Sequence, residues 1–477
     1  MTKRKKLQLA GSALLTVLAL FCAKDEVGIS GNEASRFAVI QAVAEQNTFA
    51  IENTEFRTVD KVKRDGHLYS DKPLPLPFLA ALVFKIPHRL AGLSFATRYN
   101  LAVYTVNLIF GATVSVLLFL VMFRLLRPLR GSLEAKFLLA LAMCLGSWIF
   151  SYSTIFNNHT PAALAVAFLL LTAREFRRRP TRRNALFPAL AAAGAAAADL
   201  PTGAFCALAA LAVVFFDSPR TARLKNLRGC IAVGAAAAAA MMLLNAAAYG
   251  TVLPLYIAGT SGTFTPGTGD KSHLFYGYEC LFGGRGLFSY QPFLLLAIPM
   301  TALGWKKFRR GEKIVLAATG AVCAFYLLCT NEFGGWAYGF RYLIAVIPVL
   351  WFEASRLTLN TRSRAVKLLA APLIAVGVVT GYIGAYSPFC PAYEGFRTPP
   401  GNITARVPNT FEFNLIAWGY ENWPESRWIR LLRNRRDAKT DFELLYWSYF
   451  NLKRPDLLAR LEAERRTPQP ERTELKP

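Results

Sequence analysis

The sequence predicts an all-α polytopic membrane protein, and two observations carry this prediction. Hydrophobic residues make up 54% of the 477 positions, with a mean hydropathy of +0.30. They occur in blocks about as long as the roughly 20 residues of helix that cross a bilayer, without the alternation of a barrel strand. Because backbone groups in lipid need internal hydrogen bonds, such blocks are expected to be helices.

About eleven transmembrane helices are expected within one domain, residues 1–386, followed by a C-terminal tail, 387–477, with interfacial or soluble helices and a disordered end. The first block, 7–22, follows the basic stretch Lys3 to Lys6 and is interpreted as an uncleaved helix with a cytoplasmic N-terminus. The alanine-rich blocks give the weakest signal, because alanine is nearly neutral for membrane insertion. The further blocks lie near residues 98–123, 137–155, 161–174, 185–199, 201–216, 230–248, 288–304, 314–330, 341–355 and 367–386.

The positive charge is distributed as it is in a membrane protein. The net charge of +25 is concentrated in short loops between alternate pairs of blocks, for example at Arg174 to Arg183 and Arg356 to Lys367. The positive-inside rule expects this of cytoplasmic loops. No basic stretch is interleaved with aromatic residues on a soluble fold, so nucleic acid is not an expected partner, whereas the lipid bilayer is.

The first loop, residues 23–96, falls on the opposite, external side, and its acids and bases are balanced. Residues 32–47 carry apolar side chains at helical spacing, and 75–86 are apolar but too short to span comfortably. Both are predicted to be helices on the membrane surface. A polar linker, 58–73, joins them.

The linker ends in "SDKP", which places Lys72 directly before Pro73 and the second surface helix. Proline favours the first turn of a helix, whose free N–H groups and positive dipole end attract anions. With the charge of Lys72 this predicts a site for a lipid phosphate, and the alternative is a lysine that merely snorkels to water. Glu33 and Asp60 lie in the same loop and are candidates to take a proton from an attacking hydroxyl, unless they are solvated surface acids.

Several stretches on the expected external side, in this order, resemble the GT-C membrane glycosyltransferases, particularly the bacterial group related to protein O-mannosyltransferases and aminoarabinose transferases. They are "NEASRF" (32–37), "TVDK" (58–61), "DGHLYSDKP" (65–73), "FNNHTP" (156–161), "LFGGRGLFSYQP" (281–292) and "GGWAYGFRYL" (334–343). The resemblance is piecewise over roughly residues 20–350. It implies that the protein has a GT-C fold. It also implies that the protein transfers a sugar from a polyprenyl-phosphate donor to a hydroxyl of a glycan, lipid or protein. The resemblance further implies that the transfer takes place with inversion, on the external face of the bacterial cytoplasmic membrane.

Carried over residue by residue, the resemblance implies roles for individual positions. Glu33 would be the base or would orient the acceptor. Because Asn32 stands where the aminoarabinose transferases carry an aspartate, Asp60 is the second candidate base. His159 would bind phosphate or acceptor, or would instead cap the helix that follows it. Donor-phosphate binding is assigned to Lys72, Arg341 and Lys61, and substrate binding to Asn32, Arg36, Tyr69, Asp71, His159 and Tyr338.

No metal site is predicted, because the histidines are dispersed and show no metal-ligand spacing. No cofactor is expected, with a divalent metal, which some GT-C relatives use, as the alternative. The main alternative function is a transporter or a flippase for lipid-linked sugars, which predicts internal repeats, broken helices and charges near the bilayer midplane. Asp199, followed by Pro201, could mark a broken helix, but this stretch is interpreted as an outer turn, and only a position of Asp199 near the bilayer midplane would favour transport. A third alternative, a scaffold that binds partners through its tail, leaves the organised first loop unexplained.

Overall fold

The structure, a computed structural model, describes residues 1–28, 30–258, 272–330, 333–389, 409–423 and 426–428. The first part of the chain forms α1 (Lys3–Cys22), α2 (Gly31–Glu45), β1 (Lys61–Arg64), β2 (His67–Ser70), α3 (Pro75–Ala91), α4 (Tyr99–Leu126), α5 (Leu133–Leu145), α6 (Trp148–Ser153), α7 (His159–Arg178) and α8 (Arg182–Ala198). The second part forms α9 (Leu200–Asp217), α10 (Arg223–Tyr249), α11 (Leu255–Ala258), α12 (His273–Leu281), α13 (Leu287–Tyr290), α14 (Ala297–Gly304), α15 (Arg310–Cys329), α16 (Ile347–Asn360), α17 (Arg364–Tyr386) and α18 (Thr410–Asn422). Short 3₁₀ segments cover Pro292–Leu296, Trp305–Lys307 and Arg341–Val346.

Among the described residues, seven helices are long and apolar enough to cross a membrane, which confirms the multi-pass, predominantly helical class. They are α1, α4, α9, α10, α15, α17 and the continuous Arg341–Asn360 that contains α16. The other four predicted spans also coincide with helices, but these are shorter, broken or more charged: α5 with α6, α7, α8, and α13 to α14. The count of eleven therefore stays a prediction.

The predicted span 137–155 is broken between α5 and α6. Ser147 starts α6 as its N-cap, with its side chain accepting a hydrogen bond from the backbone of Ile149. Helix α17 approaches this break closely through glycines. A Cβ added to Gly377 would lie 2.4 Å from the carbonyl oxygen of Gly146. The break thus allows two backbones to pack in contact, a use of small residues that is typical of membrane helices.

The first loop contains the two predicted helices, α2 and α3, and their surroundings differ. Helix α2 is buried from Glu33 through Ala44 on all of its faces, whereas the sequence predicts a polar face toward water. The ring of Phe37 packs against the rings of Phe56 and Phe95, at centroid distances of 5.4 and 6.0 Å. The segments that follow α2 therefore cover the face that was expected to contact water. The sequence of α2 alone does not predict this burial.

Helix α3 leaves one apolar face uncovered. It begins at Pro75, close to the start that the proline pattern predicts. Ala80, Ala81 and Phe84 are buried on its inner side. The outer side chains are exposed and recur at helical spacing: Leu79, Leu82, Ile86 and Leu90. This distribution is the one expected of an amphipathic helix at a membrane surface.

The polar linker between these helices contains a β-hairpin that the all-α prediction does not include. Strands β1 and β2 pair antiparallel, with Lys61 opposite Ser70 and Arg64 opposite His67. Asp65 and Gly66 form the turn with φ of +48° and +85°, the left-handed conformations of a type I′ turn. The Asp-Gly pair is a hairpin turn signal in the sequence, but the strands on either side are only four residues long and give a weak strand signal.

Of the tail, the structure describes α18 and a few neighbouring residues. Helix α18 packs on α17, and the rings of Tyr382 and Trp418 lie 6.1 Å apart. The Nδ2 of Asn414 donates hydrogen bonds to the carbonyls of Ile383 and Ser387, which fixes α18 to the end of α17. The rest of the predicted tail, including its expected disordered end, lies outside the described residues.

Candidate functional site

A cavity of about 110 Å³ lies where the first loop meets the ends of several long helices. The residues that line it come from the first loop, the turn before α7, the junction of α8 and α9, the end of α15 and the start of the Arg341–Val346 segment. They are Asn32, Arg36, Asp71, Lys72, Pro73, Asn158, His159, Asp199, Leu200, Pro201, Tyr326, Thr330, Arg341 and Tyr342. The cavity thus gathers side chains that are more than 300 residues apart in the sequence.

Lys72 is positioned by two carboxylates. Its Nζ lies 3.0 Å from Oδ2 of Asp60 and 3.1 Å from Oδ1 of Asp71. The backbone N–H of Lys72 donates to Oγ of Ser70 at 3.2 Å, and this hydroxyl lies 2.6 Å from Oγ of Ser35 on α2. The end of the hairpin is therefore fixed to α2, and the ammonium is held at the cavity wall.

Of these two carboxylates, Asp71 lines the cavity and Asp60 lies behind Lys72. Burial raises the pKa of Asp71, and the charge of Lys72 opposes this rise. A carboxyl group with a raised pKa is closer to the range in which it exchanges protons near neutral pH. Asp71 therefore combines access to the cavity with the properties of a general base.

Arg36 contributes a second cation. Its Nη1 donates to the carbonyl and to Oδ1 of Asn32, and its Nη2 donates to Oδ1 of Asn158 at 2.8 Å. Burial lowers the pKa of Arg36 to about 10, and the like charge of Arg341 acts in the same direction. At neutral pH the guanidinium remains protonated, so Arg36 brings a fixed positive charge to the cavity.

Arg341, the third cation, follows a loop that is held by Arg285. The fully buried Arg285 donates from Nη1 to the carbonyls of Gly335 and Ala337 at 2.9 and 2.7 Å. The guanidinium of Arg341 lies 5.4 Å from the ring centroid of Tyr342. Arg285 therefore joins the stretches 281–292 and 334–343, which the sequence shows only as two separate motifs.

The same loop is also packed tightly against α6. Gly339 has a φ of +67°, and a Cβ at this position would lie 2.4 Å from the ring of Trp148. Because of both the conformation and the contact, no larger residue fits here without rearrangement. The placement of Arg341 two residues later thus depends on a glycine.

His159 lines the cavity at the start of α7 and is buried between aromatic rings. Its ring lies 6.3 Å from that of Tyr152 and 5.9 Å from that of Tyr342. The helix start is capped by Oδ1 of Asn157, which accepts from the N–H groups of His159 and Thr160. Capping is therefore provided by Asn157, and the imidazole faces the cavity.

Glu33, a predicted catalytic residue, does not line the cavity. Its side chain is fully buried, and Oε2 accepts a hydrogen bond from the N–H of Gly28 at 3.0 Å. Burial raises the pKa of Glu33 to about 8, against the attraction of Arg36 and Lys24. Within the described part of the chain, Oε1 has no hydrogen-bond partner. Glu33 is thus a mainly neutral group behind the cavity wall at neutral pH.

Three other predicted site residues also lie outside the cavity lining. Lys61 is exposed on the hairpin. The ring of Tyr69 packs against that of Tyr249, with centroids 5.3 Å apart. Tyr338 is fully buried and donates from its hydroxyl to the carbonyl of Thr380 at 2.7 Å. The structure therefore brings together Asn32, Arg36, Asp71, Lys72, His159 and Arg341 from the predicted set, with Asp60 beside Lys72.

The cavity also contains residues that the sequence did not indicate as a site. Asp199 is the N-cap of α9, with its carboxylate accepting from the N–H of Thr202 at 3.2 Å, so it marks a turn between two helices and not a break within one. The hydroxyl of Tyr326 donates to the same carboxylate at 2.6 to 2.7 Å. Tyr326 lies inside an apolar helix, where an aromatic residue gives no functional signal.

Among the described residues, no group of three or more His, Cys, Asp or Glu side chains is placed to hold a metal ion. In comparisons with known protein families and with curated proteins, the chain gives no match. The fold and the cavity define a multi-pass, predominantly helical membrane protein with a polar cavity lined by three cationic side chains.

Proposed function

We propose that the protein is a glycosyltransferase that takes a sugar from a polyprenyl-phosphate donor and transfers it to a hydroxyl group. One observation carries this proposal: Lys72, Arg36 and Arg341 converge on a cavity that also contains carboxylates, at the ends of helices apolar enough for a bilayer. Cationic side chains at the end of membrane-spanning helices can bind the phosphate of a lipid while its hydrocarbon chain stays in the membrane.

The distribution of basic loops supports an external location of this cavity. It lies at the start of α7 and α9 and at the end of α15. The opposite ends of these helices adjoin basic segments, such as Arg177 to Arg183 and Lys306 to Lys313. By the positive-inside rule those ends face the cytoplasm, so the cavity would open to the outside of a bacterial cytoplasmic membrane.

The proposed reaction needs a base and a stabilised leaving group. A carboxylate takes the proton of the acceptor hydroxyl, whose oxygen forms a bond to the anomeric carbon from the face away from the phosphate. The bond from the anomeric carbon to the phosphate oxygen breaks, and its electron pair remains on the phosphate. Lys72, Arg36 and Arg341 would stabilise this developing charge, which is usually the largest catalytic contribution.

Asp71 is the carboxylate that we propose as the base. It lines the cavity, and burial raises its pKa, whereas Glu33 is enclosed behind the wall. Asp60 would hold the ammonium of Lys72 in place from behind. The base is thus still a carboxylate of the first loop, but it is Asp71 and not Glu33 or Asp60, the two acids that the sequence suggested.

Binding of decaprenyl phosphate tests this function. We expect the purified wild-type protein to bind this lipid, as measured by native mass spectrometry and by intrinsic fluorescence. Lys72→Ala should weaken binding by about tenfold or more, because a hydrogen bond to a charged group is lost. Lys63→Ala, which removes an exposed lysine of the same hairpin, is the matched control and should retain wild-type affinity.

Equal affinity of the Lys72→Ala and wild-type proteins would contradict the proposal. The same lipid in glycosylated form separates the main alternative, transport or flipping. A transferase releases free decaprenyl phosphate when an acceptor is present. A flippase moves the intact glycolipid between the leaflets of a vesicle and leaves its sugar attached.

A further inference from the structure

The structure assigns Asp199 and Tyr326 to a subsite that holds the sugar of the donor through its hydroxyl groups and disfavours acidic sugars. This inference rests on the proposed function and adds to it the class of sugar. The two residues form a wall of the cavity from the α8–α9 junction and from α15, separate from the first loop that supplies Lys72.

The carboxylate of Asp199 retains capacity to accept hydrogen bonds. Its Oδ2 accepts from the backbone and hydroxyl of Thr202, which serves the cap of α9. Both oxygens accept from the Tyr326 hydroxyl, and this is the hydrogen bond of Oδ1 in the described structure. Since an ionised carboxylate offers about four acceptor positions, Oδ1 can accept from a ligand in the cavity.

No lysine, arginine or histidine of the described chain forms an ion pair with Asp199, in contrast to Asp60 and Asp71, which share Lys72. Burial raises the pKa of Asp199, and the hydrogen bonds from Thr202 and Tyr326 and the charge of Arg36 act in the opposite direction and favour the ionised carboxylate. Helix capping alone needs one side-chain oxygen. The hydrogen bond from Tyr326 is not part of that cap, and it holds the second oxygen, Oδ1, beside another residue that lines the cavity.

An aromatic stack connects this wall to the proposed phosphate site. The rings of Tyr326 and Tyr342 are parallel within 10°, with centroids 4.9 Å apart. The guanidinium of Arg341 lies 5.4 Å from the Tyr342 ring on the same segment. A sugar attached directly to a phosphate at Arg341 would therefore extend along the tyrosines toward Asp199.

The charge of Asp199 limits which sugars fit. Hydroxyl groups donate to a carboxylate at no electrostatic cost, so a neutral hexose or pentose is suited to this wall. A uronic acid would bring a second carboxylate beside the first, and like charges disfavour binding in a poorly solvated site. Asp199 is thus a specificity-determining residue for the donor.

Asp199→Asn tests the subsite with little risk to the fold, because asparagine is an equally good N-cap. The probes are decaprenyl phosphate and its glucosyl, galactosyl, arabinosyl and glucuronyl derivatives, with dissociation constants measured on the full-length protein in detergent. We expect the wild type to bind at least one neutral derivative more tightly than bare decaprenyl phosphate, and the glucuronyl derivative most weakly.

In Asp199→Asn, the advantage of the neutral sugar should fall by about tenfold, and discrimination against the glucuronyl lipid should fall with it. Affinity for bare decaprenyl phosphate should be retained or become tighter, because the substitution removes a negative charge from the cavity that binds the phosphate. Tyr326→Phe keeps the ring stack and removes the hydroxyl, so it should reduce the sugar advantage in part. Asp65→Asn, which removes an exposed carboxylate at the hairpin turn outside the cavity, is the control and should leave the ranking of all five lipids unchanged.

The outcomes separate the two proposals. If Asp199→Asn weakens all lipids equally, or if the wild type shows no dependence on the sugar, the subsite is overturned while the phosphate site stands. If bare decaprenyl phosphate fails to bind the wild type, or binds without dependence on Lys72, the proposed function fails and the subsite fails with it.

Discussion

Arg36 on α2 donates a hydrogen bond from Nη2 to Oδ1 of Asn158, at 2.8 Å, and so joins the first loop to the turn before α7. Both side chains are buried and line the cavity. The two residues are 122 positions apart in the sequence. Their hydrogen bond holds the charged guanidinium of Arg36 at the cavity wall, where the first loop meets the turn before α7. Buried hydrogen bonds to charged groups are among the stronger ones in proteins.

Asn158→Ala should therefore destabilise the protein. The guanidinium of Arg36 loses an acceptor while it stays buried, at a cost of about 1.5–3 kcal/mol. The measurement is the midpoint of thermal unfolding in detergent, which should fall by a few degrees. Asn53→Ala removes an exposed amide in the same loop and should leave the midpoint unchanged. An unchanged midpoint in Asn158→Ala would show that this hydrogen bond does not hold the two segments together.

Glu33 gives the protein a pH-dependent stability. Its pKa is raised from an ordinary value of 4.5 to about 8, so the folded protein favours the neutral carboxyl. The stabilisation is complete below about pH 4.5 and is lost as the pH rises through about 8. We expect the unfolding midpoint of the wild type to fall between pH 6 and pH 8 and to level off above, because in this range unfolding releases roughly one proton that the folded state retains.

Glu33→Gln should flatten this dependence, because glutamine stays neutral over the whole range. Its midpoint at pH 9 should exceed that of the wild type. Glu55→Gln changes an exposed carboxyl of the same loop and should follow the wild-type curve. If the unfolding midpoints of the wild type and Glu33→Gln change with pH in parallel, Glu33 is not the group whose titration causes the pH dependence.

Asp71→Asn should reduce turnover without loss of the donor. A positioned general base typically contributes about 10²–10⁴-fold to a rate, so the turnover number should fall by at least about a hundredfold. Binding of decaprenyl phosphate should be retained or become tighter, because Lys72 then has one competing carboxylate fewer. The comparison is Asp60→Asn, which leaves the cavity carboxylate in place and should retain more activity. A larger loss of turnover in Asp60→Asn than in Asp71→Asn would instead identify Asp60 as the base and Asp71 as the residue that positions Lys72.

The sequence predicted the parts of this structure that depend on local pattern. Apolar blocks of bilayer length became helices, because burial in lipid and internal hydrogen bonding both favour that form. The position of Lys72 before a helix start also follows from local chemistry. Its place on the cavity wall does not, because it depends on Ser35 and on the carboxylates beside it.

Residues inside the apolar blocks were beyond prediction for the same reason. Tyr326 reaches Asp199 only because α15 packs beside the α8–α9 junction. The sequence predicts that Arg174 and Arg356 are topology-setting charges in loops. In the structure both guanidinium groups are largely buried beside Glu312, and each lies about 5 Å from the ring of Phe352. The pattern of charges along the sequence shows that a segment is basic. It does not show which of its arginines form ion pairs in the folded protein.

Arg285→Lys should disturb the loop that leads to Arg341. A lysine provides one compact ammonium in place of the planar guanidinium that binds the carbonyls of Gly335 and Ala337. We expect a lower unfolding midpoint and weaker binding of decaprenyl phosphate together. Arg220→Lys, at an exposed position, should change neither. A variant with a lower midpoint and intact lipid affinity would separate the loop's stability from the placement of Arg341.

A buried charge cluster clamps the far ends of the helices that hold the cavity. Oε1 of Glu312 on α15 lies 2.7 Å from Nη2 of Arg356 on α16 and 3.4 Å from Nε of Arg174 on α7. The same three segments bring Tyr326, Arg341 and His159 to the cavity at their other ends. The cluster therefore joins the three segments at the ends opposite the cavity.

Glu312→Gln should weaken this clamp, because the buried Arg174 then loses its carboxylate partner and Arg356 keeps only that of Glu353, 3.3 Å away. Removing one partner of a buried ion pair costs about 3–5 kcal/mol, so the unfolding midpoint should fall markedly. The amide can still accept the hydrogen bond from the N–H of Arg309, so the start of α15 is preserved. Glu134→Gln breaks an exposed pair with Lys3 and should have little effect, because water solvates both charges. If the two variants unfold alike, the cluster does not clamp the helices, since a buried pair would then contribute no more than an exposed one.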